Sequence, residues 1–275
     1  MIRGYAYTFE AMTSPCEVLI YSEDKNVADS CAKRILEETK RLEKKYNYFD
    51  ENSYLSQLNS RKISLLDVES KTLLQRAKGY YHDTQKVFDI TLATIKDLYH
   101  DKQDIQSLKR EKERLLPFVG CEHFYIKKDK LIFDNLHTKI DFGGFVKEYA
   151  VDRAVRILKK HKITSALVNF GGDIYALGKK PDGRKFSIGI TNPVRIKEHI
   201  KTIEIANQAL TTSASYERPI MIEDSIYSHI LSKESSKRAS SVSVISPSCV
   251  ESGVYSTALM SNPTLEIKHE CFIIP

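Results

Sequence analysis

Two glycine pairs, each standing beside an aspartate, constrain this chain more than any other feature. Gly143 and Gly144 lie in KIDFGGFVKEYAVD, residues 139–152, and Gly171 and Gly172 lie in VNFGGD, residues 168–173. Each pair follows a short apolar run that predicts a strand, and the first pair leads directly into a helical pattern. A tight turn needs only one glycine, so the two pairs indicate backbone that closely approaches one bulky ligand. A purely steric role in the two turns is the alternative.

The polar residues beside these glycines suit a ligand that carries phosphate. Asp141 and Asp173 can accept hydrogen bonds from a base edge or a ribose, or bind a metal ion. Lys147 lies one helical turn beyond the first glycine pair, within reach of a phosphate, and backbone N–H groups at the start of a helix attract an anion. The alternative is that Lys147 points into water.

The composition excludes several classes of protein. The 275 residues are 41% hydrophobic and 28% charged, as in an ordinary soluble protein. The 42 basic and 36 acidic residues give a net charge of +6, which is too diffuse to indicate nucleic-acid binding. Five cysteines without a CxxC spacing argue against a disulfide framework and a structural zinc site. No run approaches the roughly 20 apolar residues of a membrane span, and residues 1–12 lack a signal-peptide pattern, so a cytoplasmic location is expected for the chain as written.

Helical and strand patterns are interspersed without a strict βαβ period, which predicts an α+β fold. Helices are predicted over residues 24–42, 65–86, 101–115, 146–161 and 250–260, and strands over 17–21, 139–142, 165–170, 186–190, 201–206, 226–231 and 241–246, with a hairpin over 123–134. We expect the whole chain, residues 1–275, to form one domain.

Several stretches resemble, in the same order, the motifs of the ApbE family of FAD:protein FMN transferases. They are AMTSPCEV (11–18), VFDITLATI (87–95), DFGGFVKEYAVD (141–152), VNFGGDIYALG (168–178), ALTTSASYER (209–218), YSHIL (227–231) and VSVISPSCVESGVYSTALM (242–260). The resemblance covers nearly the whole chain, and its most specific part is the pair of glycine motifs. It implies a single ApbE-type, T-fold-like α+β domain with mixed sheets and flanking helices.

The resemblance also implies an activity that depends on Mg²⁺. FAD is bound as a substrate, its pyrophosphate is cleaved, FMN is esterified to a Thr or Ser of a partner flavoprotein, and AMP is released. Two alternatives stay open at this point: a metal-dependent FAD pyrophosphatase, and a catalytically impaired homologue that binds FAD without cleaving it. Many members are periplasmic lipoproteins, but no leader or lipobox is seen here, and a homodimer is left open.

Individual residues take roles from the family motifs. The resemblance implies that Lys147, His229 and Thr257 are catalytic, that Met12, Phe49, Asp141, Lys147 and Leu231 contact FAD, and that the metal is bound by backbone carbonyls of Gly144 and Ser256 and by the Thr257 hydroxyl. Gly143, Gly171, Gly172 and Asp173 join the FAD-binding set because of their places in the two glycine turns.

Two departures from the motifs concern the metal. Gly253 stands where the family's A-D-A-L-A-T motif has its metal-binding aspartate, and Mg²⁺ normally needs one or two carboxylates. We therefore expect a severe loss of metal affinity and a larger loss of catalysis. Glu148 replaces the glycine of K-G-Y-A, and Glu251 lies two residues before Gly253. Either could replace the missing carboxylate, but the favoured expectation is that both point into solvent.

Overall fold

The computed structural model describes residues 1–101, 104–193, 195, 198–214, 219–222, 225–228 and 239–275. Its α-helices are α1 (Lys25–Tyr46), α2 (Tyr54–Asn59), α3 (Val68–Asp83), α4 (Ala93–Lys96), α5 (Leu98–Asp101), α6 (Ile105–Leu115), α7 (Val146–Lys160) and α8 (Cys249–Ser261). Its strands are β1 (Arg3–Ala11), β2 (Ser14–Ser22), β3 (Phe124–Lys127), β4 (Lys130–Phe133), β5 (Ala166–Phe170), β6 (Asp173–Leu177), β7 (Phe186–Thr191), β8 (His199–Ile205), β9 (Gln208–Ala214), β10 (Pro219–Ile222), β11 (Ser225–Ser228), β12 (Ser241–Ser246) and β13 (Glu270–Ile274). Short 3₁₀ turns occur at Ile90–Leu92, Leu116–Phe118 and Cys121–His123.

A seven-stranded sheet forms the centre of the molecule. Its strand order is β1-β2-β5-β6-β9-β12-β13, and the strands β3-β4, β7-β8 and β10-β11 form three separate pairs. The predicted α+β class is confirmed. Mixed sheets were expected, but each described strand pairing is antiparallel. Two-residue turns join β1 to β2 and β5 to β6, and the second glycine pair forms the β5-β6 turn.

The two faces of the sheet are covered differently. Helix α7 packs against β5 and β6 and lies beside α1 and α8. On the opposite face, the β7-β8 hairpin contributes Phe186, Ile188 and Ile203 to a second apolar cluster that also contains Ile174 of β6. Because both of its faces are covered, every residue of β6 is buried. The first residue of β6, Asp173, is therefore a polar group held in the interior.

The first two strands form a hairpin that sequence patterns predicted only in part. Residues 17–21 were expected as a strand, but β1 precedes them and pairs with β2 along its full length. A two-residue turn at Met12 and Thr13 joins the strands, with φ values of 51° and 57°. Positive φ at both positions matches the twist of hairpin strands. Strand β1 lies at the edge of the sheet and has few fully buried residues, so the hydrophobic pattern that would predict a strand is weak in its sequence.

Most predicted elements are confirmed within one to four residues at their ends, including α1, α3, α7, α8 and the β3-β4 hairpin. The strand expected over residues 139–142 is wrong, since this segment is not part of a described sheet. The strand expected over residues 226–231 is described only to Ser228. None of the helices in the described ranges combines the length and apolar character that a bilayer crossing needs.

Candidate functional site

The second glycine pair forms the turn between β5 and β6. Gly171 and Gly172 have φ values of 59° and 91°, and Phe170 and Asp173 pair across the turn. The side chain of Asn169 closes it by accepting a hydrogen bond from the Gly172 N–H at 3.0 Å. A Cβ atom added to Gly171 would lie 2.8 Å from the Cβ of Ser14, whereas nothing lies within 4 Å of one added to Gly172. Gly171 thus allows close packing against β2, and the space beside Gly172 is open.

Lys147 and Asp173 form an ion pair at this turn. Lys147 Nζ lies 2.9 Å from Asp173 Oδ2 and 3.5 Å from the carbonyl oxygen of Gly171. The side chain of Asp173 is 3% exposed and that of Lys147 is 19% exposed. The alternative in which Lys147 points freely into water is therefore wrong. The structure brings together two residues that were predicted to contact the ligand and connects the first helical turn of α7 to the second glycine pair.

Glu148 is the clearest departure from the sequence-based expectation. The residue is only 5% exposed, so the prediction that it points into solvent is wrong. A Cβ atom added to Gly253 would lie 2.5 Å from Glu148 Cγ and 2.9 Å from Oε1, so the glutamate fills the space above that glycine. Among the described residues, Glu148 Oε2 has no hydrogen-bond partner. Burial raises the pKa of the Glu148 carboxyl above its ordinary value, the charge of Asp173 adds to this effect, and Lys147 opposes it.

Helix α8 presents two hydroxyl groups one turn beyond Gly253. Ser213 Oγ of β9 lies 2.8 Å from Ser256 Oγ and 3.4 Å from Thr257 Oγ1. Gly253 and Thr257 are four residues apart, so they lie on the same face of the helix. The Thr257 hydroxyl and the space filled by Glu148 are thus neighbours along α8. The predicted metal-binding roles of Ser256 and Thr257 stay predictions.

The aspartate at the end of DFGGFVKEYAVD fixes α8 against α7. Asp152 accepts hydrogen bonds from the backbone N–H groups of Cys249 and Val250, at 2.8 and 3.2 Å. Ser248 adds the usual N-cap bond to Glu251 N–H at 3.3 Å. This aspartate belongs to the DFGGFVKEYAVD motif, but the sequence predicted no role for it. The available signal was a carboxylate at the seventh position of a helix, but the helix end that it binds lies too far along the chain to be recognised.

Asp141 lies in a second group of polar and aromatic residues. Its Oδ2 atom is 2.5 Å from Lys96 Nζ, and its Oδ1 atom accepts the N–H of Gly143 at 3.0 Å. Lys96 Nζ also lies 4.7 Å from the ring centroid of Tyr48 and 4.6 Å from that of Phe49. Phe49 is 69% exposed, so its ring is accessible to a ligand. The structure thus brings Phe49 and Asp141 together through Lys96, a residue that sequence analysis did not predict.

Two other unpredicted residues fix the backbone of the first glycine motif. The side-chain amide of Asn59 donates to the carbonyl of Ile140 at 2.8 Å and accepts the Ile140 N–H at 2.9 Å. The carbonyl of Ile90 accepts the N–H of Asp141 at 2.9 Å. Ile90 lies in FDIT, where Asp89 accepts a hydrogen bond from the N–H of Thr91 at 2.9 Å. The FDIT motif therefore orients Asp141. In the sequence, the resemblance of this stretch to a family motif was the only indication of such a role.

The remaining predicted residues are distributed around these two groups. The backbone N–H of Met12 donates to Glu43 Oε1 at the β1-β2 turn. Gly144 is exposed at the start of α7. Glu251 lies 3.2 Å from His269 Nε2, away from the Glu148 contact. His229 and Leu231 lie outside the described residues.

The chain is similar to known proteins in both sequence and structure. The model of the ApbE family matches residues 12–269. The chain is 30% identical over 231 residues to the FAD:protein FMN transferase of Chlamydia pneumoniae, covering 78% of this chain and 71% of the relative. It is 24% identical over 277 residues to the FAD:protein FMN transferase of Klebsiella pneumoniae (strain 342), covering 94% and 82%.

Solved structures show the same fold. The ApbE protein of Thermotoga maritima superimposes with a TM-score of 0.87 at 24% identity, covering 98% of this chain and 94% of that one. The flavin transferase ApbE of Vibrio cholerae superimposes with a TM-score of 0.82 at 19% identity, covering 100% and 98%. The central sheet and the helices that present Lys147 and Gly253 thus belong to a known architecture.

Proposed function

Because this chain belongs to the ApbE family, we propose that it is a FAD:protein FMN transferase, which moves FMN from FAD onto a partner flavoprotein and releases AMP. The observation that supports this most directly is the Lys147–Asp173 ion pair. It holds an ammonium group, backed by a buried carboxylate, between the two glycine turns. Cleavage of a pyrophosphate needs positive charge in a fixed position, because negative charge on the phosphoryl oxygens must be stabilised.

FAD is proposed to lie across the two glycine turns, with its pyrophosphate at Lys147. The first turn of α7 has no side-chain cap, since Phe145 at the N-cap makes no such hydrogen bond. The positive end of the helix dipole at the start of α7 therefore favours the phosphates. Gly143, Gly171 and Gly172 keep side chains out of this space. Asp173 orients Lys147 and does not itself need to touch the phosphates.

The second group of residues holds another part of FAD. Asp141 accepts hydrogen bonds from a ring or ribose, and Lys96 fixes its orientation. The exposed ring of Phe49 offers a stacking surface for the flavin. Met12 at the β1-β2 turn and Leu231 are proposed to add apolar contacts, and His229 is proposed to orient groups at the reacting phosphate.

Magnesium fits the donor atoms of the site. A buried carboxylate oxygen without a partner among the described residues, Glu148 Oε2, lies beside α8, and Thr257 presents a hydroxyl on the same helix. Oxygen donors of this kind suit Mg²⁺. The carbonyls of Gly144 and Ser256 complete the set predicted from the family motifs. When bound, Mg²⁺ neutralises charge on the pyrophosphate and makes its phosphorus easier to attack.

The acceptor is proposed to be a flavoprotein that presents a Thr or Ser hydroxyl. We also propose that residues 1–275 form one domain, which is supported by the main apolar core cluster of the described residues, whose members run from Ala11 to Leu265. A homodimer and the cytoplasmic location expected from the sequence stay predictions. The FAD pyrophosphatase and the catalytically impaired homologue receive no specific support from the comparisons.

An assay with an acceptor flavoprotein separates these functions. The protein is incubated with FAD, MgCl₂ and the acceptor, with AMP measured by chromatography and bound flavin by in-gel fluorescence. An acceptor whose target Thr is replaced by Val is the matched control. A transferase gives AMP and linked FMN in equal amounts with the first acceptor and no linked FMN with the control. AMP without linked FMN indicates a pyrophosphatase, and bound FAD without AMP indicates the impaired homologue; either outcome rejects the proposal.

A further inference from the structure

The contact between Glu148 and Gly253 joins the two positions at which this chain departs from its family's metal motif. Glu148 is on α7, in place of a glycine, and Gly253 is on α8, in place of an aspartate. The structure places the glutamate side chain directly above the glycine, within 3.0 Å of where its Cβ would stand. The two substitutions therefore leave one carboxylate in a shared space, reached from the opposite helix.

The environment of the Glu148 carboxylate favours a bound cation. Glu148 is 5% exposed, and its Oε2 atom has no hydrogen-bond partner in the described part of the chain. Burying a carboxylate oxygen without a partner is unfavourable, because the lost hydration is not replaced. The nearest base in sequence, Lys147, is engaged by Asp173 at 2.9 Å. A divalent cation between Glu148 and the adjacent phosphates of a bound substrate would replace that hydration.

Building on the proposed transferase function, we propose that Glu148 is the carboxylate ligand of the catalytic Mg²⁺ in this protein. Its side chain takes the place of the absent side chain at position 253 and binds the ion together with the Thr257 hydroxyl one turn along α8. The expected severe loss of metal affinity therefore does not follow from Gly253, since the carboxylate has moved to α7. Glu251, the other candidate, faces His269 at 3.2 Å and is not the ligand.

The geometry also predicts that the two arrangements exclude each other. An aspartate at position 253 would place its Cβ 2.5 Å from Glu148 Cγ, too close for both side chains to fit unchanged. Adding a carboxylate by Gly253→Asp alone should therefore impair the site. The double variant Glu148→Gly, Gly253→Asp should restore it, because it removes the obstacle and returns a carboxylate to the same space from α8.

Metal binding is measured without turnover by titrating the protein with Mn²⁺ alone and following the free ion by electron paramagnetic resonance. Glu148→Gln should weaken binding by about tenfold or more, as expected for a lost metal-site partner. The Glu148→Gly, Gly253→Asp variant should bind Mn²⁺ with an affinity within about threefold of that of the unmodified protein. This difference is well below the tenfold change in affinity that corresponds to about 1.4 kcal/mol. Glu251→Gln is the matched control and should bind Mn²⁺ as the unmodified protein does. Melting temperature and circular dichroism verify folding of each variant.

Several outcomes overturn the inference. They are unchanged Mn²⁺ binding in Glu148→Gln, loss in Glu251→Gln, no Mn²⁺ binding by the unmodified protein, or improved binding in Gly253→Asp alone. If Glu148→Gln does not fold, the double variant decides, because it lacks Glu148 altogether and must bind Mn²⁺. The two proposals fail separately. Mn²⁺ binding that depends on Glu148 without FMN transfer rejects the transferase alone, and FMN transfer with Mn²⁺ binding that is independent of Glu148 rejects this inference alone.

Discussion

At the scale of single residues, Lys147 combines a structural role with its proposed role at the phosphates. Its ammonium group lies 2.9 Å from the carboxylate of Asp173, which is 3% exposed, and so offsets the cost of burying that charge. A substitution at Lys147 therefore lowers both stability and activity, and the two effects need to be measured apart. A double substitution that removes both charges of the ion pair separates the two effects. It eliminates the stability penalty but does not return a cation to the site.

Lys147→Met should lower kcat/KM for FMN transfer by about 100- to 1,000-fold, the range for loss of one charge-stabilising group. It should also lower the free energy of unfolding by about 3 kcal/mol, because the buried Asp173 carboxylate loses the Lys147 cation. In Lys147→Met, Asp173→Asn, the stability should return while the activity stays low. Urea unfolding and the AMP assay measure the two quantities. A double variant with near-normal transfer would show that Lys147 acts only in folding.

Glu148 shows why single residues are the hardest part of such a site to predict. A glutamate in the first turn of a helix ordinarily faces water and favours the positive helix end. Its burial depends on the missing side chain of Gly253, which is distant in sequence and becomes a neighbour only when α7 packs against α8. The family motifs identified both positions as departures, but local pattern could not reveal that they share one space.

At the scale of elements, α8 depends on an acceptor from another helix. Asp152 binds two N–H groups at the start of α8, and this helix presents Gly253 and Thr257. Burial raises the pKa of the Asp152 carboxyl and the two hydrogen bonds oppose this. The two hydrogen bonds to the helix end therefore stabilise the contact, while burial offsets part of the favourable effect of the negative charge there.

Asp152→Ala should destabilise the protein by about 2 kcal/mol, the upper part of the range for a lost helix cap. Asp152→Asn keeps one acceptor oxygen and should lose about half as much. Urea unfolding measures both, and FMN transfer should fall in the same order because α8 moves. Equal stability of the alanine and asparagine variants would argue against this capping role.

A charge network fixes α3 against α1. Glu69 receives hydrogen bonds from Arg41 at 2.7 Å and from Lys45 at 2.8 Å. Burial disfavours its ionised form, but the two cations outweigh burial and lower the pKa of Glu69 to about 2. A carboxyl whose pKa is lower in the folded state stabilises the fold when ionised, fully above its unfolded pKa of about 4.3, and loses this contribution as pH falls through about 2.

Glu69→Gln should therefore lower the free energy of unfolding by about 2 kcal/mol at pH 7, and the difference should shrink between about pH 4.3 and pH 2. Urea unfolding of both proteins at pH 7, 4 and 3 measures this. Glu37→Gln is a suitable control, because the ion pair of Glu37 with Lys33, at 4.0 Å, is exposed and the substitution should have little effect. A Glu69→Gln deficit that is equal at all three pH values would contradict the prediction.

At the scale of the whole molecule, sequence pattern predicted the α+β class and most helices, because their apolar periodicity is local. It predicted neither β1, β6, β9 nor β13, and the order of strands in the sheet could not follow from local pattern. The site shows the same limit. The motifs named Asp141, Lys147 and Asp173, but the support from Lys96, Asn59 and Asp152 results from contacts between segments that are far apart in sequence.

The site draws on β1-β2, β5-β6, α7 and α8, which together span nearly the whole chain, and this predicts how FAD should affect unfolding. If residues 1–275 form one domain, calorimetry should give one transition with equal calorimetric and van't Hoff enthalpies. FAD at about 100 times its dissociation constant should then stabilise the whole protein by about 2.7 kcal/mol. FMN at the same multiple of its own dissociation constant is the matched control for ligand mass action. The contradicting result is two transitions, with FAD raising the midpoint temperature of only one. It would show that the sheet and part of its helical layer unfold independently, and that the site belongs to one of these parts alone.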